Sequence, residues 1–267
     1  MWTRSQGILI KIQHFQWLAK RMFLRRLAPK LPYIASVLIL ALDTSSPAGS
    51  LAILRDEKVI GVVSTWADET YSARMFRHLE FLLRELSLDL KQFDLFAVAA
   101  GPGSFTGLRV GLTAAKGWAE VYKKPVAGVS GLEAIAAQAH STAPLLIPIL
   151  DARRGQIYFG FYRRNRNGLA LEGEECVMTP EEFLEALRTK AGDADFTIVT
   201  PEPEIISKLK SQIEKRAACV ELVSSVLAPL IGELGYQRAQ RGQLSDALSL
   251  DANYVRRSDA ELHWKVP

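Results

Sequence analysis

The sequence predicts an α/β protein built of two related lobes. Three observations lead there. Continuous apolar runs such as "VLILALDTS" (Val37 to Ser45) and "FDLFAVAA" (Phe93 to Ala100) read as buried strands. Stretches of helical periodicity alternate with them. The same alternation then returns in the second half of the chain.

Each element follows in order. "GSLAILRD" (Gly49 to Asp56) and "KVIGVVSTW" (Lys58 to Trp66) succeed the first run after short turns, which reads as an antiparallel meander. Met75, Leu79, Leu82 and Leu86 recur at helical spacing within Tyr71 to Leu86. The strand Phe93 to Ala100 is expected beside the first and parallel to it. A glycine-rich turn leads into a helix from Gly107 to Tyr122. The strand Pro125 to Ser130 and the helix Gly131 to Ala139 close the lobe. This βββαβαβα order is that of a ribonuclease-H-like lobe, the building block of the actin-like ATPase and kinase (ASKHA) folds.

The second, reduced lobe begins near residue 143. "LLIPILDA", "QIYFGFYRR" and "GLALEGEECVM" read as three strands. "TPEEFLEALRTK" opens a helix with Thr179 as N-cap, Pro180 at the first helical position and acids in the first turn. "FTIVTP", "EIISKLKSQIE", "CVELV" and "VLAPLIGELGYQRAQRGQ" alternate strand and helix, and the tail "LSLDANYVRRSDAEL" is expected as an ordered closing segment. The organisation is therefore an extension over 1–36, an N-terminal lobe over 37–142, and a C-terminal lobe with tail over 143–267.

Composition narrows the function. The 267 residues are 48% hydrophobic and 23% charged, ordinary for a globular chain with sizeable cores. Cys176 and Cys219 form no CxxC pair, and no apolar run approaches the ~20 residues of a membrane span. No membrane association of the body and a cytoplasmic location are therefore expected. Residues 1–36 hold seven of the 33 Lys and Arg and no acid, which leaves 26 bases against 29 acids in the body. The body offers no strong electrostatic case for direct nucleic-acid binding. The extension reads in three ways: an amphipathic targeting segment, a basic arm touching RNA, or residues upstream of the natural start, since Val37 opens the first strand.

Two motifs concern chemistry. In "LDTSS", Asp43 ends the first strand and Thr44 follows, the place where actin-like folds face phosphate and metal; local turn bonding is the other reading. In "GPGSFTG" the third glycine falls one residue late for GxGxxG, and no GK[ST] follows. Anion contact by Gly103, Ser104 and Thr106 at a helix start stays open. Glycine inside a helix costs about 1 kcal/mol relative to alanine. The small-residue stripe Gly107, Gly111, Ala114, Ala115 and Trp118, with Gly117 nearby, therefore predicts close approach of another backbone, either within the lobe or from a partner. The four histidines form no HxxxH or HExxH, and there is no GxSxG elbow.

"LILALDTSSPAGSLAIL", "AAGPGSFTGLRVGLTAAKGWAE", "PVAGVSGLEAIA" and "PILDARRGQIYFGFY" resemble the bacterial TsaB family, formerly YeaZ, from about Val37 to the tail. The resemblance implies a non-catalytic subunit in making tRNA threonylcarbamoyladenosine (t6A), the modified base beside the anticodon of tRNAs reading ANN codons. It implies pairing with the transferase TsaD, association with the ATPase TsaE, a functional link to TsaC and tRNA, and a homodimer when alone. It implies no cofactor of its own, and leaves room for ATP or ADP at the complex interface. Catalytic TsaD-type proteins carry an HxxxH metal motif where this chain has Gly131 and Ile135, and neither side chain binds metal. Family members often have histidine where this chain has Tyr71. The partner surface expected is the helix 71–86 with the helix 107–122, through Met75, Leu79, Leu82, Gly107, Gly111, Ala114, Ala115 and Trp118; burial of the leucines against the lobe's own sheet is the other reading. The alternative functions are an actin-like ATP-dependent phosphotransferase, motivated by Asp43 and the glycine turn, and, more weakly, a metal-dependent peptidase.

Overall fold

The computed structural model describes residues 36–66, 71–166, 168–192, 194–207, 219–244 and 246–256. The basic extension, apart from Ser36, lies outside the described residues. So do the end of the expected tail and positions 208–214 of the expected helix 204–214, whose described part, 204–207, is helical.

β1 (Leu38–Asp43), β2 (Ser50–Arg55) and β3 (Lys58–Ser64) form the meander. α1 (Tyr71–Glu85) leads to β4 (Leu95–Gly101), α2 (Phe105–Tyr122), β5 (Val126–Ser130) and α3 (Gly131–Ala137). The first sheet has the order β3-β2-β1-β4-β5. β1 pairs antiparallel with β2 and parallel with β4, Ile39 facing Leu95. The strand order thus reverses between β1 and β4. Their carboxyl ends, Asp43 and Gly101, mark the switch point of the sheet.

In the second sheet β6 (Leu145–Arg153) is central, with β7 (Gln156–Phe159) and β10 (Cys176–Met178) on one side and β11 (Phe196–Thr200) and β12 (Cys219–Leu222) on the other. "QIYFGFYRR", expected as one strand, is two. β7 pairs with the later half of β6, while β8 (Tyr162–Asn165) pairs with Leu145 and Leu146 at its start and with β9 (Gly168–Leu171). The break falls at Gly160, where a Cβ would lie 3.0 Å from the Tyr162 ring and 3.2 Å from Leu171. The expected strand 168–178 likewise splits into β9 and β10. α4 (Pro180–Ala191) carries a full capping box. Thr179 Oγ1 accepts from the Glu182 amide, and the Glu182 carboxylate accepts from the Thr179 amide.

α5 (Ala228–Gln240) belongs by sequence to the second half but packs on the first sheet. Gly232 and Gly235 permit this. A Cβ on Gly232 would collide with Leu54, and one on Gly235 would lie 2.8 Å from the Ala97 Cβ. The described residues therefore form three apolar cores. α1 and α2 cover one face of the first sheet, with Met75, Leu79, Phe96 and Leu112. The other face shares a central core with α3, α5 and the second sheet, through Ile39, Leu95, Ile135, Ile231 and Val199. α4 covers the far face of the second sheet, with Phe159 and Phe183.

Candidate partner surface and cleft

Asp43 and Thr44 leave β1 already buried, at 0% and 2% exposure. Asp43 Oδ1 accepts from the Ser45 amide at 2.9 Å and the Ser45 hydroxyl at 2.6 Å. Its Oδ2 is buried with no hydrogen-bond partner among the described residues. Burial pushes this carboxyl above the usual range, against the opposing effect of the Ser45 donors. Thr44 turns inward and donates its hydroxyl to the Gly107 carbonyl at 2.7 Å.

That contact explains the first part of the glycine stripe. A Cβ on Gly107 would run into the Thr44 carbonyl oxygen, and one on Gly111 into the Thr44 hydroxyl. The backbone that approaches α2 at these positions is the turn after β1, in the same lobe. The expectation that Gly107 and Gly111 meet a partner is corrected accordingly. At Gly117, six residues on, no atom of the described residues beyond the adjacent backbone of its own helix lies within 4 Å of where a Cβ would stand.

The apolar stripe of α1 needs the same correction. Met75, Leu79 and Leu82 are 0 to 4% exposed, and Ala115 of α2 is 0% exposed; all four sit in the lobe's own core. The face left outward carries Phe76 (56% exposed) and Val121 (72%), with Val110, Ala114 and Trp118 half-buried between them. Phe76 of α1 meets Trp118 of α2 edge-on at 6.5 Å. Val110, Thr113, Ala114, Gly117, Trp118 and Val121 make this strip of α2 free of charge. Helical periodicity reveals that a helix has an apolar stripe; it does not say which neighbour covers it.

The glycine turn binds back on the chain. Ser104 donates its amide to the Ser45 carbonyl at 2.8 Å, and its hydroxyl caps α2 by accepting from the Gly107 amide at 3.3 Å. Gly103 and Ser104 edge a cleft of about 750 Å³ between the carboxyl ends of the two sheets. Asp43, Thr44 and Thr106 do not line it. Of the five residues expected to contact an anion, the structure brings only two to the cleft.

The second sheet contributes Asp151, Arg153 and Glu202 to the cleft. Glu202 accepts from the Asp151 amide at 2.7 Å; burial and the nearby Asp151 charge push its carboxyl up. Arg109 lies 3.8 Å above the Phe105 ring and donates to the Tyr254 hydroxyl at 3.1 Å. Asn253 to Arg256 form the remaining wall. Sequence reasoning missed Arg109, Asn253 and Tyr254, because nothing local signals a tail returning to a helix 145 positions away.

Two further positions bear on chemistry. Tyr71 is 2% exposed, packs against Gly49, and shares a hydrogen bond with His78 Nδ1 at 3.1 Å. Burial raises its phenol pKa. Gly131 opens α3, and Ile135 lies wholly in the central core. Among the described residues no three His, Cys, Asp or Glu side chains are grouped to hold a metal, and no helix is long and apolar enough to cross a membrane.

Comparison with known proteins agrees with this architecture. Residues 51–236 match the family model of TsaD, tRNA N6-adenosine threonylcarbamoyltransferase. The chain is 32% identical over 230 residues to the tRNA threonylcarbamoyladenosine biosynthesis protein TsaB of Bacillus subtilis, covering 85% of this chain and 97% of that protein. It is 33% identical over 159 residues to the protein of the same name in Escherichia coli, 58% of this chain and 68% of that one. Among solved structures it is similar to YeaZ from Pseudomonas aeruginosa, with a TM-score of 0.68 and 25% identity, covering 82% of this chain and 99% of that one.

Proposed function

From the premise that the chain belongs to the TsaB family of tRNA threonylcarbamoyladenosine biosynthesis proteins, we propose that it serves as a non-catalytic binding subunit. Its partner in this reading is TsaD, met through the outward face of α1 and α2. TsaE is a further partner, TsaC and tRNA are functional links, the cytoplasm is its place, and a homodimer through the same face is its state when alone. The observation that carries the reading is the uncharged strip of α2 around Gly117, flanked by the exposed Phe76 and Val121. An exposed Phe76 against the half-buried Trp118, beside a small residue, suits helix-against-helix docking, in which close backbone approach and aromatic burial supply most of the affinity.

Gly117→Arg tests this. The added side chain enters open space, so the fold should persist with an unchanged melting temperature, while co-purification with TsaD should be lost. Undiminished binding would remove the interface. The competing reading, an ATP-dependent phosphotransferase, has weaker support: Asp43 is sealed and Thr44 donates inward, so neither faces the cleft. A nucleotide held at the junction with TsaD remains compatible with the subunit reading. Calorimetry of the isolated protein with ATP and magnesium should give no heat of binding; micromolar affinity would favour the phosphotransferase.

A further inference from the structure

The segment Ser249–Arg256 crosses the mouth of the cleft and touches both halves of the molecule. On the first sheet, the Asn253 amide donates to the Ala100 carbonyl at 2.6 Å, and Lys116 donates to the Leu250 carbonyl at 2.8 Å. At α2, the Tyr254 ring stacks 5.0 Å from Phe105 and its hydroxyl accepts from Arg109. On the second half, Asn253 Nδ2 donates to Glu175 Oε2 at 2.6 Å, and Arg256 donates to the Ala152 carbonyl at 2.7 Å. Glu175 also accepts from the Ser130 and Tyr162 hydroxyls, which fixes it in place.

The glycine turn is shaped to receive this segment. Gly101 has φ +125°, and a Cβ there would lie 2.5 Å from the Asn253 carbonyl oxygen. Gly128 leaves room for Leu250, whose Cδ1 would be 2.5 Å from a Cβ at that position. Leu250 is the one side chain among residues 249–256 that is buried; Asn253 and Tyr254 are exposed. The segment is therefore held largely by polar bonds in contact with water, with Leu250 as its buried apolar anchor and Ala252, Val255 and the Tyr254 ring in shallower apolar contact. Such segments open locally at far lower cost than the whole fold.

We propose that Ser249–Arg256 is a strap, pinned at Asn253, that opens and closes as a unit over the cleft and clamps the glycine turn and the start of α2 to the second sheet. Closed, it supplies one wall of the cleft through Asn253 to Arg256. Open, it bares the floor at Leu150 and Tyr158 and takes the Tyr254 hydroxyl away from Arg109, which keeps its place over the Phe105 ring. The inference goes beyond the partner reading and does not depend on it, since the strap meets α2 through Phe105, Arg109 and Lys116, none of which belongs to the uncharged strip.

Hydrogen–deuterium exchange of the full chain tests it, with Asn253→Ala as the perturbation. Losing a bond to a carboxylate should speed exchange on the order of tenfold or more in peptides covering 249–256 and 101–109 together. Peptides covering β1 should keep their wild-type rate. A rise in 249–256 alone would mean a passive tail and overturn the clamp. An equal rise in β1 would mean global destabilisation and overturn the local device. Tyr254→Phe, which removes only the hydroxyl accepting from Arg109, guards against an unfolded first variant. It should raise exchange in the same two regions by a smaller factor, and no change in either would also overturn the proposal.

Discussion

Replacing Gly111 and Gly117 by alanine, one at a time, should move stability in opposite directions. Both glycines lie inside α2, so each substitution gains about 1 kcal/mol of helix propensity. At Gly117 nothing among the described residues stands within reach of the new methyl group, and the net effect is a stabilisation of about 0.5–1 kcal/mol. At Gly111 the methyl group runs into the buried Thr44 hydroxyl, which itself donates to the Gly107 carbonyl. Overpacking of this kind costs about 1–3 kcal/mol. Displacing Thr44 forfeits a buried hydrogen bond worth about 1 kcal/mol more. The net result is a loss of about 1–3 kcal/mol, and the two variants should differ by at least about 1.5 kcal/mol. Urea denaturation of the three proteins reads this directly. In thermal melts a change of 1 kcal/mol corresponds to about 2–4 °C for a chain of this size. If Gly111→Ala proves as stable as Gly117→Ala, the inward packing of the glycine stripe is refuted, and with it the argument that the partner strip is centred on Gly117.

Two other outcomes follow from buried charge. Arg238 reaches from α5 to the Glu133 carboxylate on α3 and to the Gly128 carbonyl, with its side chain 26% exposed and that of Glu133 18%. Arg238→Met should cost about 3 kcal/mol, since it strands a half-sealed carboxylate. Burial already raises the Glu133 pKa despite the arginine, so the folded variant takes up a proton that the unfolded chain has released. The variant should therefore recover stability as pH falls toward 4.5, and equal losses at pH 5 and pH 8 would contradict this. Asp43 has a folded pKa above its ordinary 3.8, so its contribution is most favourable below that value and is lost as pH rises through the folded pKa. The stability of the wild type relative to Asp43→Asn should thus fall as pH rises above 3.8. A difference that stays constant from pH 4 to pH 7 would show that Asp43 does not titrate in this way.

Much of the fold was legible because its strands are long apolar runs and its helices carry clear punctuation. Thr179, Pro180 and Glu182 announce the start of α4 through hydrogen bonds that are local in sequence. The meander, the parallel placement of β4 beside β1 and the helix around Met75 and Leu79 rest on the same kind of short-range pattern. The side from which each helix is covered is not short-range. Gly107, Gly111 and Gly117 look alike in the chain, and only the position of Thr44 separates the two inward ones from the outward one. Phe76 and Met75 are neighbours of similar hydrophobicity, yet one is 56% exposed and the other 0%. The inter-sheet cleft depends still more on distant residues, since Asn253 and Tyr254 return to Ala100 and Arg109. The helix at 228–240 chose the first sheet over the second through Gly232 and Gly235, whose missing side chains carry no periodic signal.

The placement of α5 also bears on how the protein is made. Its residues Ala228, Ile231 and Ala239 cover the face of the first sheet that includes Ile39, Ala41, Leu54 and Ala97. A ribosome finishes β5 at Ser130 and must still add roughly 100 residues before that cover exists, on the order of 5–20 s at typical rates of synthesis. Throughout that interval a nearly complete β-sheet has one apolar face unsealed. The nascent N-terminal half therefore waits for the far end of the message, and a release before α5 emerges yields a sticky intermediate instead of a smaller folded domain.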